Sequence, residues 1–339
     1  MKKIFSFLLI ALTMISCAEE ENLSNSFILG LGGEDYTWNE IDEWIYDNIT
    51  KPYNMEVKYR WDQSELDLNR TLVPVEEDKV IPVMGTILTT WISVYEQVGG
   101  ADFIKSLSPK KFVLVGSPEY NNSTITLGEA EGGRKITIYR INWFDQSDID
   151  IIQSIMKTVH HEFGHTMHQT VNYTTAFDEI TATTYNSSWN NVSSDEAMQK
   201  GYVSAYASAN ADEDFVETLS RILVYGKEWF DEYVQEASDY YETTAANELE
   251  TTYDPSEALL AKEAIVEAYL YDVWGIYMYD QEDGTKGLET LVQEAIANVV
   301  ASAATKSSAT IYSSGAFDDY QGVCSCSSCV ELRAKNSKE

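Results

Sequence analysis

HHEFGHTMHQ, residues 160–169, holds all four histidines of a 339-residue chain. His161, Glu162 and His165 spell HExxH within IIQSIMKTVHHEFGHTMHQTV, residues 151–171. The apolar positions Ile151, Ile155, Met156 and Val159 recur there at helical spacing, and Asp148 or Asp150 can supply an N-cap. The pattern predicts a helix. His161 and His165 then stand about 40° apart around it and ~6 Å apart along it, so both imidazoles can reach one cation. Glu162 projects beside that cation, where a base must stand to take a proton from a metal-activated water. Gly164 is a small residue inside the motif.

A catalytic zinc needs a third protein ligand and one open position. His168 shares the face of His161 and His165 but lies seven residues from His161, about 10 Å along the axis, too far for an unbroken helix. It is expected behind the ligands or in a structural role, and His160, about 100° away, in packing or at the surface. Downstream, YASANADEDFVETLSR, residues 206–221, offers Glu213 and Glu217 four apart on a second predicted helix. One carboxylate can bind the metal while the other, one turn on, holds a ligating histidine in its tautomer. Asp212, Glu213 and Asp214 also suit a helix N-terminus by charge alone.

Around these helices, TWNEIDEWIYDNI (37–49) has Trp38, Ile41, Trp44 and Ile45 at helical spacing, and VMGTILTTWISVYEQV (83–98) predicts a helix ending at Gly99 and Gly100. NMEVKYRW (54–61) alternates as a strand, FVLVGS (112–117) is short enough for a buried strand, and KITIYRIN (135–142) alternates again. KITIYRIN, with β-branched Ile136, Thr137, Ile138 and Ile141 and bounded by Gly132 and Gly133, is expected to be the edge strand of the rim, antiparallel to a bound peptide. A polar stretch spans about 172–210. Two helices are expected beyond it, through DEDFVETLSRILVYG and PSEALLAKEAIVEAYLYDVWGIYMY. The end, from about Ala301, is Ser- and Ala-rich and expected to pack poorly.

With 44% apolar and 12% aromatic residues the chain can build a core, and its net charge of −32 repels phosphate backbones and anionic lipids. Nucleic acid is excluded as a partner. The acidity also serves as a solubility device.

MKKIFSFLLIALTMISC has two lysines, an apolar run from Ile4 to Ile15 and then Ser16 and Cys17, the layout of an export signal rather than of a spanning helix. Met14–Cys17 resembles a bacterial lipobox in which Cys17 is acylated. Cleavage before Cys17 removes Lys2 and Lys3, two positive charges fewer than the −32 of the full chain, leaving −34. AEEEN, with Glu19, Glu20 and Glu21, resembles an acidic signal for surface export. Cys324, Cys326 and Cys329 are an odd set: one disulfide with a spare thiol, or three reduced thiols, fit better than a metal clasp, for which no histidine remains. Their role stays unassigned.

HHEFGHTMHQ followed by YASANADEDFVE resembles the zinc metallopeptidases found among Bacteroidetes lipoproteins, the substrate import-associated zinc metallohydrolases, whose signature is similar to HEFxHxxHQ with a later YA and EDFAE. Here the last motif is Glu213–Glu217, with Val216 in place of the usual alanine. That family resembles distantly the catalytic domain of anthrax lethal factor. The resemblance implies Glu213 as the zinc glutamate and Tyr206, seven residues earlier, on the oxyanion. A phenol can donate to the charge that develops on a carbonyl oxygen. It also implies a peptide or protein substrate, outer-membrane TonB-dependent import machinery as a candidate partner, and attachment to the membrane through a lipid only.

The expected architecture is α+β and zincin-like: a mixed sheet with the HExxH helix, a mainly helical C-terminal lobe, and zinc (Zn2+) between. Residues 1–16 form the signal peptide, 17–25 a lipid-anchored tether, 26–300 the metallohydrolase domain (upper lobe about 26–170, lower about 171–300), and 301–339 a tail. The expected function is zinc-dependent peptide hydrolysis at the outer membrane, facing the cell surface or the periplasm, in connection with nutrient uptake. The catalytic residues are Glu162 and Tyr206, the ligands His161, His165 and Glu213, with Glu217 and His168 behind them. Hydrolysis of another amide or ester, or a surface binding module that keeps the fold, are the alternatives.

Overall fold

A computed structural model of the chain describes residues 37–66, 69–121, 124–126, 128–131, 134–244, 248–249 and 251–313. The signal segment, Cys17 and its acidic follow-on, Gly132 and Gly133, and the three C-terminal cysteines lie outside the described residues. Among the described residues no helix is long and apolar enough to cross a membrane.

Helix α1 (Glu40–Ile45) runs through a π-turn into Lys51–Tyr53, where Asn54 takes a left-handed conformation and turns the chain into strand β1 (Glu56–Lys58). The expected face of α1 is only partly right. Ile45 is buried, whereas Trp38 lies ahead of the helix and is exposed. Helix α2 (Glu77–Ile87) passes through a second π-turn into Ser93–Gly99 and stops at Gly100, whose φ of 83° favours glycine.

The sheet is β1, β2 (Lys111–Leu114), β6 (Lys135–Ile138) and β5 (Gly128–Glu131) in that spatial order; β3 (Glu119–Asn121) and β4 (Thr124–Thr126) form a separate hairpin. β1, β2 and β6 are parallel and β5 is antiparallel to β6, so the sheet is mixed. This overturns the edge-strand expectation for KITIYRIN. β6 pairs with β2 on one side and β5 on the other, which excludes a substrate lying along it. Ile136, Thr137, Ile138 and Tyr139 are all buried, the continuous burial of a strand covered on both faces rather than the alternation of a rim. Among the described strands β5 is the edge on that side.

Helix α3 (Ile149–Thr170) carries the histidines. Asp148 caps it, accepting from the backbone N–H of Asp150 and Ile151, which decides between the two candidate caps. Ile152, Met156, Val159, Phe163 and Met167 form its fully buried stripe. Trp91 and Tyr95 meet Phe163 edge to face at 5.3 and 4.8 Å, fixing α3 on the N-terminal core.

Among the described residues four long helices follow the polar stretch, not two: α4 (Ala211–Tyr225), α5 (Lys227–Thr243), α6 (Pro255–Trp274) and α7 (Leu288–Ser313). α6 starts with Asp254 as cap and Pro255 in its first turn and stops at left-handed Gly275. α7 runs on past residue 300, where the tail was expected to begin.

Candidate functional site

Asn210 caps α4 by accepting from the Glu213 backbone N–H at 3.1 Å, which fixes the first turn and the direction of Glu213. Helix α4 packs closely on α3 because Gly164 has no side chain. A Cβ there would stand 3.0 Å from Val216 Cγ1 and 3.4 Å from Leu219 Cδ2. The crossing brings together three residues from two distant segments. His161 Nε2 and His165 Nε2 lie 3.2 and 3.3 Å from Glu213 Oε2. The three donor atoms all fall within 4.8 Å of one another, and among the described residues this is the one such group of three or more His, Cys, Asp or Glu side chains.

The other ring nitrogens of His161 and His165 also face neighbouring side chains. His161 Nδ1 is 3.0 Å from Glu217 Oε1. His165 Nδ1 is 2.9 Å from His168 Nε2, and His168 Nδ1 is 3.9 Å from Asp212, which accepts from Tyr173 Oη at 2.7 Å. His168 therefore stands behind His165. His160 is buried, with Nδ1 3.3 Å from Tyr95 Oη, and burial pushes its pKa down to about 3. Its place is in packing.

Glu162 is half-buried, and burial pushes its carboxyl above the ordinary range against the opposing charges of His161 and His165. The Tyr206 ring stacks on His161 at 5.7 Å and meets Trp189 edge-on at 4.7 Å. Burial first, then the Glu213 carboxylate, push the Tyr206 phenol up, so it stays protonated at neutral pH. For His161 burial pulls the pKa down, but the bonds to Glu213 and Glu217 carry it up to about 9. Burial raises Glu217 too, and Lys157, His161 and Arg221 more than offset this, holding it well below the usual carboxylate range.

Several neighbours were not singled out in the sequence. Lys157, Ser204 and Arg221 all bond Glu217. Lys157 and Arg221 could have been found, since they lie four residues from His161 and Glu217 on the same helices. Ser204, in a loop, carries no such signal. Neither does the pair of Asp214 with Lys262, 48 positions apart in the sequence.

Residues 34–279 match the family model described as "Putative zinc-binding metallo-peptidase". The chain belongs to this family. A solved structure titled "Crystal structure of a putative zinc-binding metallo-peptidase from Bacteroides caccae ATCC 43185" is similar to it, with 28% identity and a TM-score of 0.61 over 80% of this chain and 97% of that one. No curated protein matches the chain. The family is one of zinc-binding metallopeptidases, and the donor set of two imidazoles and a carboxylate in this member fits zinc.

Proposed function

We propose that the protein is a gluzincin-type zinc metallopeptidase of zincin-like fold, with His161, His165 and Glu213 as ligands, Glu162 as general base and acid, and Tyr206 as oxyanion donor. The convergence of three donor atoms from α3 and α4 carries this reading. Zinc held there supplies a Lewis acid for the scissile carbonyl. Glu162, next to His161 on the helix, takes the proton of the attacking water and hands it to the leaving amine. Tyr206, protonated at neutral pH, donates a hydrogen bond to the carbonyl oxygen as it gains charge. The Glu217 carboxylate, 3.0 Å from His161 Nδ1, favours the tautomer that leaves Nε2 free to bind, and His168 Nε2, 2.9 Å from His165 Nδ1, does the same for His165.

Purified protein should carry about one zinc per chain, as a tetrahedral site with one open position requires. His161→Ala, His165→Ala and Glu213→Ala should lose it and His168→Ala should mostly keep it, measured by metal analysis after dialysis. Dispensable Glu213 with essential His168 would reverse the ligand assignment.

Because His161 titrates near 9 without metal, it carries a proton at neutral pH that binding must expel. The sign follows: apparent zinc affinity should climb as pH rises from neutral towards about 9 and level off above it. Competition with a chelator across that range checks this, and a flat profile contradicts it.

The lipobox supports a further part of the proposal: an outer-membrane lipoprotein, exposed on the cell surface by Glu19–Glu21, acting on peptides in connection with nutrient uptake beside import machinery of the TonB-dependent type. Wild-type protein should sediment with membranes and label with fatty acid, and Cys17→Ala should do neither. Surface protease accessibility that survives replacement of all three glutamates would remove the export part.

A further inference from the structure

We infer that Lys157, Arg221 and Ser204 form a cage that makes Glu217 a common anchor for the ligand His161 and for the turn that carries Tyr206. The inference rests on the metallopeptidase reading above. The Glu217 side chain is 1% exposed, and both of its oxygens are committed. Oε1 faces His161 Nδ1 at 3.0 Å and accepts from Lys157 Nζ at 3.2 Å. Oε2 accepts from Ser204 Oγ at 2.7 Å and from Arg221 Nε at 2.8 Å.

Each donor comes from a different place. Lys157 lies one turn before His161 on α3 and Arg221 one turn after Glu217 on α4, so cations from both helices clamp one carboxylate. Orienting a histidine needs only one acceptor oxygen. The second oxygen serves another element. Ser204 Oγ, which donates to it, also accepts from the Ala207 backbone N–H at 3.1 Å, in the 3-10 turn Tyr206–Ala209. The Tyr206 ring in turn stacks on His161. A closed circuit results: Tyr206 turn, Ser204, Glu217, His161 and back to Tyr206. A carboxylate free to rotate would loosen the metal ligand and the oxyanion donor together, and the two cations on its two oxygens prevent that rotation.

Lys157 and Arg221 are positioning residues, and their side chains are 21% and 23% exposed, so long neutral replacements keep their packing. The test uses the full chain loaded with cobalt(II), following its visible absorption, its metal loss to excess EDTA, and its turnover of a quenched-fluorescent peptide library. Lys157→Met and Arg221→Met should alter the cobalt spectrum and speed metal loss by about 10–100-fold, while Lys157→Arg stays near wild type. Ser204→Ala should keep the wild-type rate of metal loss but lower kcat by about tenfold or more with little change in KM. That loss should vanish in a Tyr206→Phe background, which a general structural defect would not do.

Unchanged spectra and metal loss in both methionine variants overturn the inference, as does a Ser204→Ala defect that persists undiminished without the Tyr206 hydroxyl. His161→Ala separates the two levels. If it loses cobalt while the cage variants behave as wild type, the cage alone falls; if it keeps the wild-type spectrum, the metal assignment falls and the cage with it.

Discussion

Glu162→Gln is expected to keep its fold and its zinc and to lose about 10²–10⁴-fold in kcat on peptides. The amide matches the carboxylate in shape but cannot take a proton from water or return one to the leaving amine. No described ligand contact depends on it, because the three converging donors belong to His161, His165 and Glu213. Tyr206→Phe, which removes one hydrogen bond to the developing oxyanion rather than the proton shuttle, should cost about 10²-fold. Peptide-library turnover with metal analysis on the same samples separates the two roles from ligand loss. A glutamine variant that turns over at the wild-type rate would remove the hydrolytic reading and leave a binding module that keeps the fold.

The second large effect concerns stability. Lys262 and Asp214 are both fully buried, with Lys262 Nζ 2.6 Å from Asp214 Oδ2. The ammonium also donates to the Gly201 carbonyl at 2.7 Å and lies over the Tyr202 ring at 4.1 Å. Asp214 follows Glu213 in the first turn of α4, so this pair fastens the ligand-bearing turn to α6. Lys262→Met leaves a buried carboxylate without its cation, with Tyr185 Oη still donating to it at 3.0 Å. Stranding one charge of a buried pair costs about 3–5 kcal/mol. The melting temperature followed by circular dichroism should fall by on the order of 10 °C. Lys262→Met combined with Asp214→Asn removes both charges and should recover much of the loss. A single variant that melts like wild type, or a double variant worse than the single, would show that the pair is not what holds this turn.

The parts of the site that lie within one helix were legible before any coordinates. Periodicity, a capping aspartate and i, i+4 spacing place His161 with His165, and Glu213 with Glu217, whatever surrounds them. Helix α5 was missed although it is as local as the others. KEWFDEYVQEASDYYET is dominated by acids and aromatics, and only Phe230 and Ala237 of its residues are fully buried, so it has little aliphatic stripe to read. KITIYRIN was legible as a strand but not as an interior one, since strand neighbours are set by hydrogen bonds to segments elsewhere in the chain.

The sequence by itself determined two helices with pre-aligned donors, because side-chain direction on a helix follows from backbone geometry over four residues. Only the tertiary structure decided that these helices cross where Gly164 admits Val216, which puts Glu213 within reach of both histidines. It alone decided that Ser204 and Lys262 bear on the site, and that β5 rather than β6 forms the sheet edge. Packing between distant segments depends on the summed shape of the whole core, and no short stretch of residues encodes it.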